Sequence, residues 1–214
     1  MNLVNRQHSG GATLLKKELH IISDIIFDEH DFIETTKEIH PFITAVHLRV
    51  KAWSAHKLYT LVERLTEKGI PGNKIYINDR VDVAIAAGTG GVQLNYRSLP
   101  VSKVREAFPS IRVGKTIHTI DEAKLAESEG ADYIMFGKIF EEVASLDAHE
   151  QGFEKLKELY EAVNLPIIAY GGITARNIES VLPYASGIAV ESSTWQAVDR
   201  PVMIKQFYNL LMPD

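Results

Sequence analysis

Ala45-Val46-His47-Leu48-Arg49-Val50-Lys51 opens a pattern that recurs along the whole chain. The apolar run Ala45–Leu48 gives way to charged residues. Leu58, Leu61, Val62 and Leu65 then follow at helical spacing, and Lys74–Ile77 begins a second apolar run. Positions i, i+3, i+4 and i+7 form the buried stripe of a helix. Short runs rich in Val and Ile suit strands covered on both faces, as in a parallel sheet. Residues 45–77 therefore read as strand, helix, strand.

The same alternation extends both ways. Further strand-like runs are Leu19–Ile22, Gly91–Gln93, Ile111–Val113, Tyr133–Phe136, Pro166–Ala169 and Gly187–Val190, which makes eight in all. Helical stripes lie between them, such as Leu156, Leu159, Tyr160 and Val163, and Met203, Phe207, Leu210 and Leu211 form a closing helix. Thr119 with Glu122 makes a capping box, in which each satisfies a free backbone N–H of a helix start. Eight alternations predict a closed (β/α)8 TIM barrel, and 214 residues suit one such domain. The barrel is expected over residues 18–214, with residues 1–17 as a loosely held extension. The stretch from Gly137 to Gly152 has no clear period, so it is read as a long lid loop.

Composition narrows the function. A net charge of -5 supplies no basic footprint for nucleic acid. The absence of cysteine excludes disulfides, thiolate metal sites and a cysteine nucleophile. No apolar run approaches the ~18 residues of a membrane helix, and the amino terminus lacks the apolar core of a secretory signal. A cytoplasmic protein with no nucleic-acid or membrane partner is expected; a homodimer is left open.

Active sites of this fold lie at the carboxyl ends of the strands. The residues found there are Arg49, Lys51, Asn78, Asp79, Lys115, Thr116, His118, Lys138 and Glu191. The four cations against two carboxylates point to an anionic small molecule. Gly171-Gly172 and Ser192-Ser193 follow the last two strand runs. Glycine lets backbone N–H groups approach an anion closely, and helix starts add partial positive charge. These four residues are the candidate phosphate site. His118 can accept and return a proton near neutral pH, whereas His47 lies deeper and reads as a packing or hydrogen-bonding residue.

The chain resembles the thiamin phosphate synthase superfamily. The resemblance is carried by His47–Lys51, Ile77-Asn78-Asp79-Arg80-Val81-Asp82, Gly91-Val92-Gln93-Leu94, Gly114–His118, Gly130-Ala131-Asp132-Tyr133, Phe136–Phe140, Ala169–Thr174 and Gly187-Ile188-Ala189-Val190. Within the superfamily it is most similar to the TenI-type thiazole tautomerases, which aromatise a thiazole carboxylate phosphate by moving a proton. That resemblance implies His118 as general acid/base with Lys138 beside it. Arg49 and Lys51 would hold the substrate carboxylate, Asn78 and Thr116 would orient the ring, and no metal or cofactor is implied. The alternative is the synthase, which joins a pyrimidine diphosphate to a thiazole phosphate with magnesium on two aspartates. Asp79 matches one aspartate, but Asn95-Tyr96-Arg97-Ser98 carries no second. A non-catalytic regulator of the same fold is the third reading.

Overall fold

A computed structural model describes residues 17–23, 28–140, 146–191 and 195–212, with side chains from 152 onward in the third segment. The order is β1 Glu18–Ile22, α1 Glu29–Ile39, β2 Ala45–Leu48, α2 Ala55–Glu67, β3 Ile75–Asn78, α3 Val81–Ala86, β4 Gly91–Leu94 and α4 Val101–Ala107. It continues with β5 Arg112–Ile117, α5 Ile120–Ser128, β6 Tyr133–Gly137, α6 Leu146–Ala162, β7 Ile167–Tyr170, α7 Ile178–Val181, β8 Gly187–Val190 and α8 Arg200–Leu211. All neighbouring strands pair in parallel, and β1 pairs with β8 to close the barrel. The TIM barrel expected from the alternation is the fold found.

The helices form where the sequence places caps and stripes. Ser54 accepts from Lys57 N to start α2, and Leu58, Leu61, Val62 and Leu65 are its buried face. Asp28 and Asp199 cap α1 and α8 in the same way. Each such cap satisfies one of the backbone N–H groups a helix start leaves free. Three readings are corrected. Helix α6 begins at Leu146, so the expected lid loop is shorter than Gly137–Gly152 and its residues 141–145 lie outside those described. Strand β5 runs on to Ile117, past the Val113 end read from the sequence. Lys17, assigned to the loose extension, is anchored by hydrogen bonds from Nζ to Leu182 O and Ala185 O; residues 1–16 lie outside those described.

Two apolar regions result. One lies between the sheet and its helices. The other fills the barrel with Ile22, Ala45, Tyr76, Tyr133, Met135, Ile168 and Ala189. Polar groups share this interior, with His20, His47 and Gln93 buried among the apolar side chains. At the amino-terminal end, Glu18 takes hydrogen bonds from Arg112 at 2.7 and 3.0 Å. Gly114 makes room for this packing, because a Cβ there would lie 2.2 Å from the Tyr133 ring and 2.3 Å from Gln93 Oε1.

Above Glu18, His20 Nε2 lies 2.8 Å from Glu18 Oε2, and His20 Nδ1 lies 2.9 Å from His47 Nε2. Burial alone would raise the Glu18 pKa, but hydrogen bonds and charge from His20 and Arg112 outweigh it and bring it down to about 2. Burial lowers the His20 pKa, against the pull of Glu18. It lowers that of His47 further, with the neighbouring His20 adding to the effect.

Both histidines are thus neutral when folded and take up protons more readily when unfolded. Stability from them is fully present above the ordinary histidine pKa near ~6.5 and is lost as pH falls below it through the lowered folded values. Thermal melts of the wild type should therefore fall as pH drops from 6.5 toward 4.5. His47→Gln should show a shallower decline over the same window. Equal slopes for the two proteins would show that the histidine pair does not carry this acid sensitivity.

Candidate active site

Because every strand runs the same way, Arg49, Asn78, Asp79, His118, Lys138 and Gly171 all lie at or just past strand ends at one mouth of the barrel. Alternation along each strand decides which side chains enter it. Asn78 and Thr116 belong to the inward series of β3 and β5: Tyr76 below Asn78 faces the interior, and Thr116 Oγ1 accepts from Gln93 Nε2 at 2.9 Å. Lys115 falls in the opposite series. Its Nζ donates to Asn95 O at 2.8 Å behind the sheet, and burial lowers its pKa. It is therefore not the rim cation the sequence suggested.

Arg49 is already partnered. Its guanidinium donates to Glu191 Oε1 at 2.7 Å, with both side chains about one-third exposed. Its backbone N–H is fixed by Ser23 Oγ at 2.8 Å. The expected cationic surplus is therefore smaller than a residue count implies. Lys51 and Lys138 are exposed and have no ion-pair partner among the described residues. His118 is exposed; its backbone N–H donates to Glu122 Oε2 at 2.6 Å, while Thr119 Oγ1 accepts from Glu122 N. The expected capping box therefore closes one residue earlier than usual and holds the His118 backbone at the mouth.

The glycine pair is bound up with its neighbour loop. Gly171 and Gly172 have φ of 92° and 65°, in the left-handed region that favours glycine. A Cβ on Gly172 would sit 2.1 Å from Phe140 O, and one on Gly171 would sit 2.9 Å from Lys138 Cα. Phe140 N–H donates to Gly171 O, and Ile139 N–H to Tyr170 O. No backbone carbonyl among the described residues accepts from Gly171 N–H or Gly172 N–H. Among the described residues both donors are thus left for an anion, as a phosphate site requires. Ser192 and Ser193, the other half of the expected site, lie outside the described residues.

The sequence reading missed the interior chain from Glu18 through His20 to His47, which ends directly beneath Asn78. A histidine on alternate positions of two neighbouring runs, with an acid two residues before one of them, was the available signal.

The family model described as thiamine monophosphate synthase matches residues 19–194. The chain belongs to this family. A thiamine-phosphate synthase of Methanococcus maripaludis is 34% identical over 83% of this chain and 86% of its own length. Another, from Pyrococcus abyssi, is 35% identical over 73% and 76%. The solved thiamine phosphate pyrophosphorylase from Pyrococcus furiosus superposes with a TM-score of 0.76 at 30% identity, covering 92% of this chain and 96% of that one. These relatives overturn the expectation of a thiazole tautomerase: they are named as synthases, so the isomerase reading gives way to a transferase of thiamin biosynthesis.

The family implies a magnesium site, and the described residues do not fit it. A hard divalent cation beside a diphosphate calls for several anionic oxygens. Asp79 supplies one carboxylate. Across from it, Asn95 Oδ1 is taken by Arg97 N and Ser98 Oγ by Asn95 N, and no group of three or more metal-ligating side chains occurs among the described residues.

The Arg49–Glu191 pair yields a direct test. Glu191→Gln should free the guanidinium and tighten binding of inorganic phosphate by up to roughly fivefold, in keeping with the ~1 kcal/mol of a partly exposed ion pair. Titration calorimetry reads this, and weaker binding in the variant would show that Glu191 is needed to hold Arg49 in a productive pose.

Proposed function

We propose that this chain is a thiamine-phosphate synthase, joining a pyrimidine diphosphate to a thiazole phosphate. The observation that carries the reading is the 34% identity to a thiamine-phosphate synthase over 83% of the chain. A mouth where the Gly171 and Gly172 N–H groups and the Lys51 and Lys138 ammonium groups have no partner among the described residues supports it. In this reaction the bond between the pyrimidine methylene carbon and its diphosphate oxygen breaks, and diphosphate leaves with the electron pair. The thiazole nitrogen lone pair forms the new carbon–nitrogen bond. No proton moves from carbon, so the acid/base duty expected of His118 and Lys138 goes with the isomerase reading.

Gly171 N–H and Gly172 N–H would hold the thiazole phosphate. Lys138, whose Cα packs on Gly171, would bring an ammonium to the phosphate-bearing side of the mouth. Asn78 and Thr116 on β3 and β5 would meet the ring of the second substrate on the opposite wall. Lys51 is exposed beyond β2 and would add to the field that draws anions in. Arg49 has one guanidinium nitrogen engaged by Glu191 and would meet a ligand through the donors that remain or by leaving Glu191.

Purified protein given both precursors should form thiamine phosphate and release diphosphate in equal amounts. Absence of both products would remove the reading. Lys138→Met should lower turnover by roughly 10²-fold, the usual effect of removing one electrostatic contact to developing charge. Because Asp79 has no carboxylate partner among the described residues, chelator treatment should leave turnover unchanged. Chelator-sensitive turnover restored by magnesium would place a metal at the site after all.

A further inference from the structure

The buried chain beneath Asn78 is constrained by proton counting. The Glu18 carboxylate, held by Arg112, can only accept, so His20 carries its proton on Nε2. A neutral His20 then presents a lone pair at Nδ1. His47 Nε2, 2.9 Å away, must donate to it. That leaves His47 Nδ1 as a bare acceptor next to the Asn78 side chain. His47 Nδ1 and Asn78 Oδ1 are both buried without a hydrogen-bond partner. Two acceptors set together are unfavourable, and an unmet buried polar atom costs free energy. Two arrangements remove the conflict. With the pair neutral, the amide turns so that Nδ2 donates to His47 and Oδ1 faces the mouth. With one proton added, His20 donates from both nitrogens, the His47 proton moves to Nδ1 and meets Oδ1, and the amide NH2 faces the mouth.

We propose that Glu18, His20 and His47 are positioning residues that set, through the tautomer of His47, which end of the Asn78 amide meets the substrate. In the neutral state the mouth presents a carbonyl, which selects a ring edge bearing an N–H donor. The inference rests on the proposed reading only in taking that edge to belong to the pyrimidine. Tyr76, Arg112 and Tyr133 are the other titratable groups around the two rings, and they flank the pair without interrupting it. The burial that lowers both histidines favours the neutral arrangement at neutral pH.

Nitrogen-15 NMR of the ligand-free protein near pH 7.5 tests this directly. Both imidazoles should be neutral, protonated at Nε2 and bare at Nδ1; a proton on His47 Nδ1 would overturn the relay. Asn78→Asp replaces the amide by an acceptor and should draw a proton onto His47 Nδ1, whereas an unchanged spectrum would also overturn it. Glu18→Gln lets the residue at the base of the chain donate as well as accept. It should raise KM for the pyrimidine diphosphate about tenfold, the effect of one hydrogen bond, with KM for the thiazole phosphate unchanged. An unaltered pyrimidine KM counts against the proposal, and if Glu18→Gln does not fold, the two spectra decide. The spectra need no turnover. Inactive protein with the expected tautomers would therefore overturn the synthase reading alone, and active protein with the opposite tautomer would overturn the relay alone.

Discussion

A carboxylate at the base of a closed barrel has little solvent to neutralise it, and this constraint at the mostly buried Glu18 organises the interior. Arg112 crosses from β5 to supply two hydrogen bonds, and His20 supplies a third. Three good contacts are what allow a largely buried charge to persist without forcing its protonation. The arginine is held in place on Tyr133, its guanidinium carbon 4.7 Å from the ring centroid, and donates to the Tyr76 phenol oxygen at 3.2 Å. The side chains around it therefore follow from meeting one charge. A barrel filled only by aliphatic residues would have no such direction built into it, whereas here each polar group fixes the proton position of the next.

Much of the architecture was legible because it rests on local periodicity. Leu58, Leu61, Val62 and Leu65 declared their helix face, and Ala45–Leu48 and Gly187–Val190 matched strands β2 and β8 to the residue. The limits appear where tertiary context decides. Nothing in Ile111–Val113 announces that pairing with β4 and β6 carries β5 on to Ile117, and that extension sets Lys115 behind the sheet. Likewise Arg49 and Glu191 are far apart in the chain. Only closure of β1 on β8 brings β2 and β8 near enough for them to pair.

The site divides along the same line. Residue type and strand position were enough to place Asn78, Thr116 and the glycine pair at the mouth, because that placement follows from the fold. The branch of the family was not fixed by that means. Asn95–Ser98 lacks a carboxylate, and that departure from the synthase pattern favoured an isomerase. Similarity spread over most of the chain points the other way. A single missing ligand changes how a charge is neutralised, whereas the shape and polarity of a pocket are distributed over many positions. The second kind of information weighs more in assigning a reaction.

The interlock between Phe140 and Gly172 has a consequence for how such a barrel changes over time. The backbone of the β6 loop occupies the volume a side chain on the β7 loop would need, and two hydrogen bonds tie the segments together. Neither loop can be replaced on its own. A segment exchanged from a relative, whether by recombination or by design, must carry both β6 and β7 loops as one cassette.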